Sequence, residues 1–159
     1  MIDRHRRDQL AETLRHFAAG LLTNREYGKR VDLLFEGKGQ PWKDDLALRA
    51  VYEQAWFLYD DNLRHRLKGR HALGAEGRSE IARWIMFLYS DQEYEWPVTR
   101  FISISSCLLR IVTLGLCDLI AGPIYARRLE AMGDWSVWPF LDSRSYQEAR
   151  QKPRLLARH

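Results

Sequence analysis

Four side chains near the middle of this chain of 159 residues have the types that hold a divalent metal: Glu53, Asp60, Asp61 and His65. Carboxylate oxygens and imidazole nitrogens are common ligands of catalytic zinc and manganese. On a continuous helix Asp61 and His65, four residues apart, project from one face, and Glu53 lies two turns before Asp60. The chemistry this group would support is that of a small metal-dependent helical enzyme. The competing reading is a solvated acidic helix face, with Asp61 or His65 contacting Arg64 or Arg66. That reading is preferred, because no second helical pair containing His completes a ligand set. The sequence therefore assigns no metal and no cofactor.

A thiol nucleophile is the next option. Cys107 and Cys117 lie in an apolar stretch, where a thiol pKa rises rather than falls, so packing is the expected role. Gly37-Lys38-Gly39 lacks the spacing and the Lys-Ser/Thr ending of a phosphate loop. There is no Gly-x-Ser-x-Gly elbow and no His-Glu-x-x-His. No catalytic constellation is complete.

The string Asp91, Glu93, Tyr94, Glu95, Trp96 points elsewhere. Carboxylates beside large aromatics, in a segment leaving a helix, suit a protein-binding surface. Asp60, Asp61, Asp91, Glu93 and Glu95 would face a basic site on the partner and steer association. Tyr94 or Trp96 would be the buried anchor. Inward packing of both rings is the equal alternative.

These residues need helices to place them. Leu10, Leu14, Phe17, Ala18 and Leu21 recur at steps of three and four, which predicts a helix over 3–22. Thr23-Asn24 offers a fresh cap, with Glu26 at the positive end of a second helix carrying Val31, Leu34 and Phe35. Two glycines and a proline mark 36–41 as a loop. Asp44 or Asp45 caps a third helix predicted to run to His65 or beyond. Its apolar surface is Leu48, Val51, Tyr52, Ala55, Phe57, Leu58 and Leu63. Its basic end (Arg64, Arg66, Lys68, Arg70) suits a helix's negative pole. Ile81, Trp84, Ile85 and Leu88 stripe a helix over 76–90, and Pro97 discourages its continuation. A segment over 124–132 stops at Gly133. Trp135, Trp138, Pro139, Phe140 and Leu141 close the domain, and Asp142 or Ser143 caps a last helix to about Arg150. The pattern predicts a mainly α single domain over 1–159, a bundle of five to seven helices, with at most one short strand pair near 98–106.

The apolar run 101–122 is long enough to consider as a membrane span. Arg110 near its middle, Asp118 near its end and four Ser/Thr residues make insertion marginal, so a buried helix or hairpin is expected, with membrane association as the alternative. Met1 to Arg7 carries charge without a following apolar stretch, which reads as no secretory signal and a cytoplasmic protein with reduced thiols. The formal net charge is +4. Residues 1–30 hold seven Lys/Arg against four Asp/Glu, 31–97 hold nine against twelve, and 121–159 hold seven against four. Basic ends and an acidic middle can pair within one chain, which disfavours nucleic acid as a partner.

Tyr59-Asp60-Asp61, the stretch Ile81–Pro97 and Gly133–Phe140 resemble a family of small bacterial proteins with no established activity, across roughly 10–155. The resemblance implies no catalytic residues. Small helical bacterial proteins of this size include immunity proteins that occlude secreted toxins. The sequence thus leads to a non-enzymatic domain that binds another protein, with homodimerisation compatible.

Overall fold

The structure is a computed structural model that describes residues 2–36, 45–58, 62–96 and 132–151. Five α-helices occur among the described residues: α1 (Arg4–Ala18), α2 (Asn24–Phe35), α3 (Leu46–Ala55), α4 (Ala75–Tyr89) and α5 (Ser143–Gln151). The only β-type pairing among them is an isolated antiparallel bridge between Thr23 and Arg66. The fold is mainly α, as the periodicity predicts.

Helix boundaries follow capping chemistry. The Asp3 side chain accepts from Arg6 N and starts α1. Its end comes earlier than Thr23-Asn24. Gly20 adopts φ +66°, and the backbone N–H of Leu21 reaches back to the His16 carbonyl at 2.9 Å. This is the left-handed glycine cap that satisfies the last carbonyls of a helix. Leu21 consequently leaves the apolar stripe and is 53% exposed. At α2 the Thr23 hydroxyl accepts from Glu26 N while the Glu26 carboxylate accepts from Thr23 N, a reciprocal capping box.

The predicted long third helix is a correction. α3 ends at Ala55, tightens into a single 3-10 turn over Trp56–Leu58, and does not reach His65. Phe57, expected on its apolar face, is 83% exposed. The run Arg64 to Arg70 is not the end of α3 but a loop that closes in a 3-10 turn over Gly69–His71 and is pinned against the start of α2.

α1 lies along α4 and also touches α2 and α3, so Leu10, Leu14 and Phe17 meet Val31, Leu48, Val51, Ile81, Trp84 and Leu88 in the main core. Phe17 stacks on Tyr27 with centroids 4.6 Å apart. A second cluster gathers Ala47, Phe87, Val137, Phe140 and Ala149, where α5 and the loop before it close on α4. α4 thus contributes two faces, one to each cluster, which is why Phe87 widens its stripe.

One buried ion pair joins these parts. Arg7 and Asp45 are each 1% exposed. Arg7 Nε and Nη2 donate to the two Asp45 oxygens at 2.6 and 2.8 Å, and Nη1 donates to the Gln92 carbonyl at 2.8 Å. Asp45 also accepts from Ala47 N at 3.1 Å, capping α3, and from Asp3 N at 3.0 Å. Each buried charge therefore meets several partners, the condition under which burying it is tolerable.

The predicted strand near 98–106, the run 101–122 with Cys107, Arg110 and Cys117, the segment 124–132 up to its last residue and most of the 36–41 loop lie outside the described residues. Among the described residues no helix is long and apolar enough to cross a membrane.

Removing one partner of the buried pair leaves the other charge uncompensated. Asp45→Ala or Arg7→Ala is expected to lower unfolding free energy by about 3–5 kcal/mol in urea melts. A loss below about 1 kcal/mol would show that the pair is not what anchors α3 to α1.

Candidate functional site

Residues 91–96 leave α4 as an extended segment, and extended backbone sends successive side chains to opposite sides. Asp91, Glu93 and Glu95 are exposed, whereas Gln92, Tyr94 and Trp96 turn inward. One short stretch therefore carries an acidic outer face and an aromatic inner face.

The inner face fixes the segment. Trp96 is 4% exposed, and its Nε1 donates to the Pro139 and Phe140 carbonyls, both at 3.1 Å. Its ring lies against Trp135, centroids 4.5 Å apart. Gly133 sits so close that an added Cβ would fall 3.0 Å from the Trp96 ring and 2.9 Å from the Leu141 carbonyl, so only glycine fits without rearrangement. Tyr94 meets Phe87 edge-on, and its hydroxyl accepts from Trp138 Nε1 at 3.3 Å. Burial pushes the Tyr94 phenol above its ordinary value, with the Trp138 hydrogen bond opposing and the Glu53 carboxylate adding to the push. Trp138 in turn packs edge-on against Trp84. Of the two equal expectations for Tyr94 and Trp96, docking anchor or inward packing, the contacts made are those of inward packing. In this conformation the Trp96 ring does not offer a surface to a partner.

The outer face forms one wall of a cleft of about 380 Å³. Glu93 and Glu95 line it from the extended segment, and Asp142, Arg144, Ser145 and Glu148 line it from the start of α5. Phe87 and Leu141 supply its apolar part. Asp142 caps α5, accepting from Ser145 N at 2.7 Å, and that backbone hydrogen bond holds its carboxyl below the usual aspartate range. Asp134 accepts from the Ser136 and Ser143 hydroxyls at 2.6 and 2.8 Å, which tie the tryptophan loop to α5 and likewise lower its pKa, the Ser136 hydroxyl most. Asp91 lies beside the cleft-forming segment and is ion-paired at 2.5 Å with Arg4, whose guanidinium also donates to the Leu88 and Ser90 carbonyls at the end of α4. Sequence reasoning finds Asp142 only as a helix cap and does not find Glu148 at all. Both stand some fifty residues from Glu93, and only the docking of α5 brings them to it.

Of the four residues of the alternative metal group, the structure describes Glu53 and His65. Glu53 pairs with Arg49 at 2.5 Å on α3. His65 is in the loop, not on that helix; its Nδ1 donates to the Leu63 carbonyl at 2.8 Å and its ring stacks on His71 at 4.5 Å. Asp60 and Asp61, in both their metal-binding and partner-binding roles, lie outside the described residues. Among the described residues no group of three or more His, Cys, Asp or Glu could hold a metal.

Comparison with protein-family models, with curated proteins and with solved structures yields no match.

A folded-state pKa below the unfolded one adds stability at pH above the unfolded value, and that contribution disappears as pH falls through the folded value. The Asp142 carboxyl is therefore expected to titrate below the ordinary aspartate value of 3.8, with the Ser145 amide shift following the same midpoint in an NMR titration. A midpoint at or above the ordinary value would contradict the cap. In unfolding experiments Trp96→Ala is expected to cost about 3–5 kcal/mol, as for other large buried aromatics.

Proposed function

We propose that this chain is a non-enzymatic protein-interaction domain whose acidic cleft docks on a basic surface of another protein. The observation that carries the reading is the convergence of Glu93, Glu95, Asp142 and Glu148 on one cleft, where Arg144, paired with Glu148 at 3.1 Å, is the single cation among the lining residues. Carboxylates grouped this way build a negative potential that accelerates encounter with a cationic partner and selects against acidic ones. The wall that carries them is anchored from behind by Tyr94 and Trp96, so little ordering has to occur on binding. Preorganisation of that kind leaves more of the interaction energy for affinity.

Occlusion of a toxin whose active site is basic is the form of this activity that fits the chain best. It needs only a complementary acidic surface and no chemistry of the binder's own. It also agrees with the kind of small helical bacterial protein that the sequence resembles.

The test is affinity capture from cells of the source organism, with the unaltered chain and with Glu93→Lys/Glu95→Lys/Glu148→Lys as parallel baits. The reading expects a basic protein to be retained by the former and released by the latter. For that pair the association rate should fall by about tenfold or more on charge reversal and also fall with salt. Retention of the same partners by both baits removes the cleft as the docking site. If the partner is an enzyme, the unaltered chain should inhibit it at stoichiometric ratio and the reversed chain should not.

A further inference from the structure

A second surface, built from α2, the end of α3 and the loop 62–71, is cationic and aromatic. The loop holds Arg64, Arg66, Lys68 and Arg70, and no Asp or Glu occurs from Asn62 to Ala75. All four cations are exposed, whereas Leu67 between them is buried in the main core. Asn24, the first residue of α2, holds the loop in place. Its side chain donates to the Leu63 carbonyl at 2.9 Å and accepts from His65 N at 3.0 Å, and its own N–H donates to the His65 carbonyl at 3.0 Å. The Lys68 stem lies over Gly20, where no Cβ intervenes.

The loop is thus fixed beside α2, and the cations continue along that helix. Arg25 and Lys29 line a groove of about 290 Å³ together with Tyr27, Tyr52, Trp56 and one carboxylate, Asp32. Tyr52 is held edge-on to Trp56 at 5.9 Å and against Phe35 at 4.9 Å. Trp56 is 49% exposed and Phe57, next to it, 83% exposed. Arg64 pairs with Glu26 at 3.6 Å and Arg66 also acts on that carboxylate, whereas among the described residues Arg25, Lys29 and Lys68 form no ion pair.

We propose that this face binds single-stranded nucleic acid, the loop and α2 cations tracking phosphates while Trp56 and Phe57 stack on bases. Proteins that bind single strands without sequence preference combine these two elements, a cationic track and exposed rings on which bases stack. A concave groove edged by the held ring of Trp56, with Phe57 exposed beside it, suits a strand; a lipid surface calls instead for a continuous apolar helix face. The cationic track is also distinct from the acidic cleft, so the two binding events need not compete for residues.

The test is fluorescence anisotropy of the full chain with a labelled oligothymidylate of about 20 nucleotides, titrated from about 50 to about 200 mM salt. Binding that weakens with salt is expected. Arg25→Ala/Arg66→Ala should reduce affinity at least tenfold and flatten the logarithmic salt slope by about 0.7 for each phosphate no longer neutralised. Trp56→Leu should reduce affinity several-fold and leave the slope unchanged, since stacking releases no counterions. Circular dichroism verifies that both variants are folded. The proposal is overturned by no binding at micromolar protein in low salt, by binding indifferent to both variants, or by binding to anionic phospholipid vesicles without binding to the oligonucleotide. Affinity that disappears with the cations but is untouched by Trp56→Leu, and is matched by dextran sulfate, also overturns it, leaving only non-specific polyanion attraction.

Discussion

The Arg7–Asp45 pair is the constraint on which the rest of the arrangement turns. Two charges taken out of water cost several kcal/mol each unless geometry and further hydrogen bonds compensate them. Here the compensation is shared among three separate pieces of chain: the guanidinium of α1, the carboxylate that caps α3, and the Gln92 carbonyl just beyond α4. None of these pieces can move away without exposing a charge that the others no longer satisfy. The guanidinium also lies 5.7 Å from the centroid of the Phe87 ring, which places the ion pair at the boundary between the two apolar clusters.

The Arg7 hydrogen bond holds the backbone of Gln92, the second residue after α4 and the start of the extended segment. Because extended chain alternates, an inward Gln92 makes Tyr94 and Trp96 inward and Glu93 and Glu95 outward. The Gln92 side chain itself donates to the Ser145 carbonyl at 3.0 Å and so ties the segment to α5. The tryptophan loop then locks the inner side, with Trp96, Trp135, Gly133 and the Asp134 hydrogen bonds bringing α5 alongside, so that Asp142 and Glu148 face the same opening.

The molecule presents opposite charges on two separately built surfaces. The cleft is formed at the end of α4 and the start of α5; the cationic groove is formed at the start of α2 and the end of α3. A net charge of +4 conceals both. Block sums along the chain conceal the second as well, since Arg64 to Arg70 sits inside a stretch whose balance is acidic.

Local features were readable without coordinates. The cap at Thr23-Asn24, a cap at Asp44 or Asp45, the stripes of α1 and α4, the final helix and the mainly helical character follow from hydrogen-bonding side chains and a 3.6-residue period, which act over one or two turns. The end of α3 was not readable, because its apolar residues continue past Ala55 and nothing in the local sequence says that Phe57 turns to solvent. Nor was the partnership of Arg7 with Asp45, of Trp96 with Pro139 and Phe140, or of Glu93 with Glu148. Those depend on segments tens of residues apart meeting in space, and a single sequence records residue types and neighbours but not distant approach. Periodicity determined which elements exist; only packing decided which charges are buried as a pair, which converge on a cleft, and which remain in water as a surface for something else.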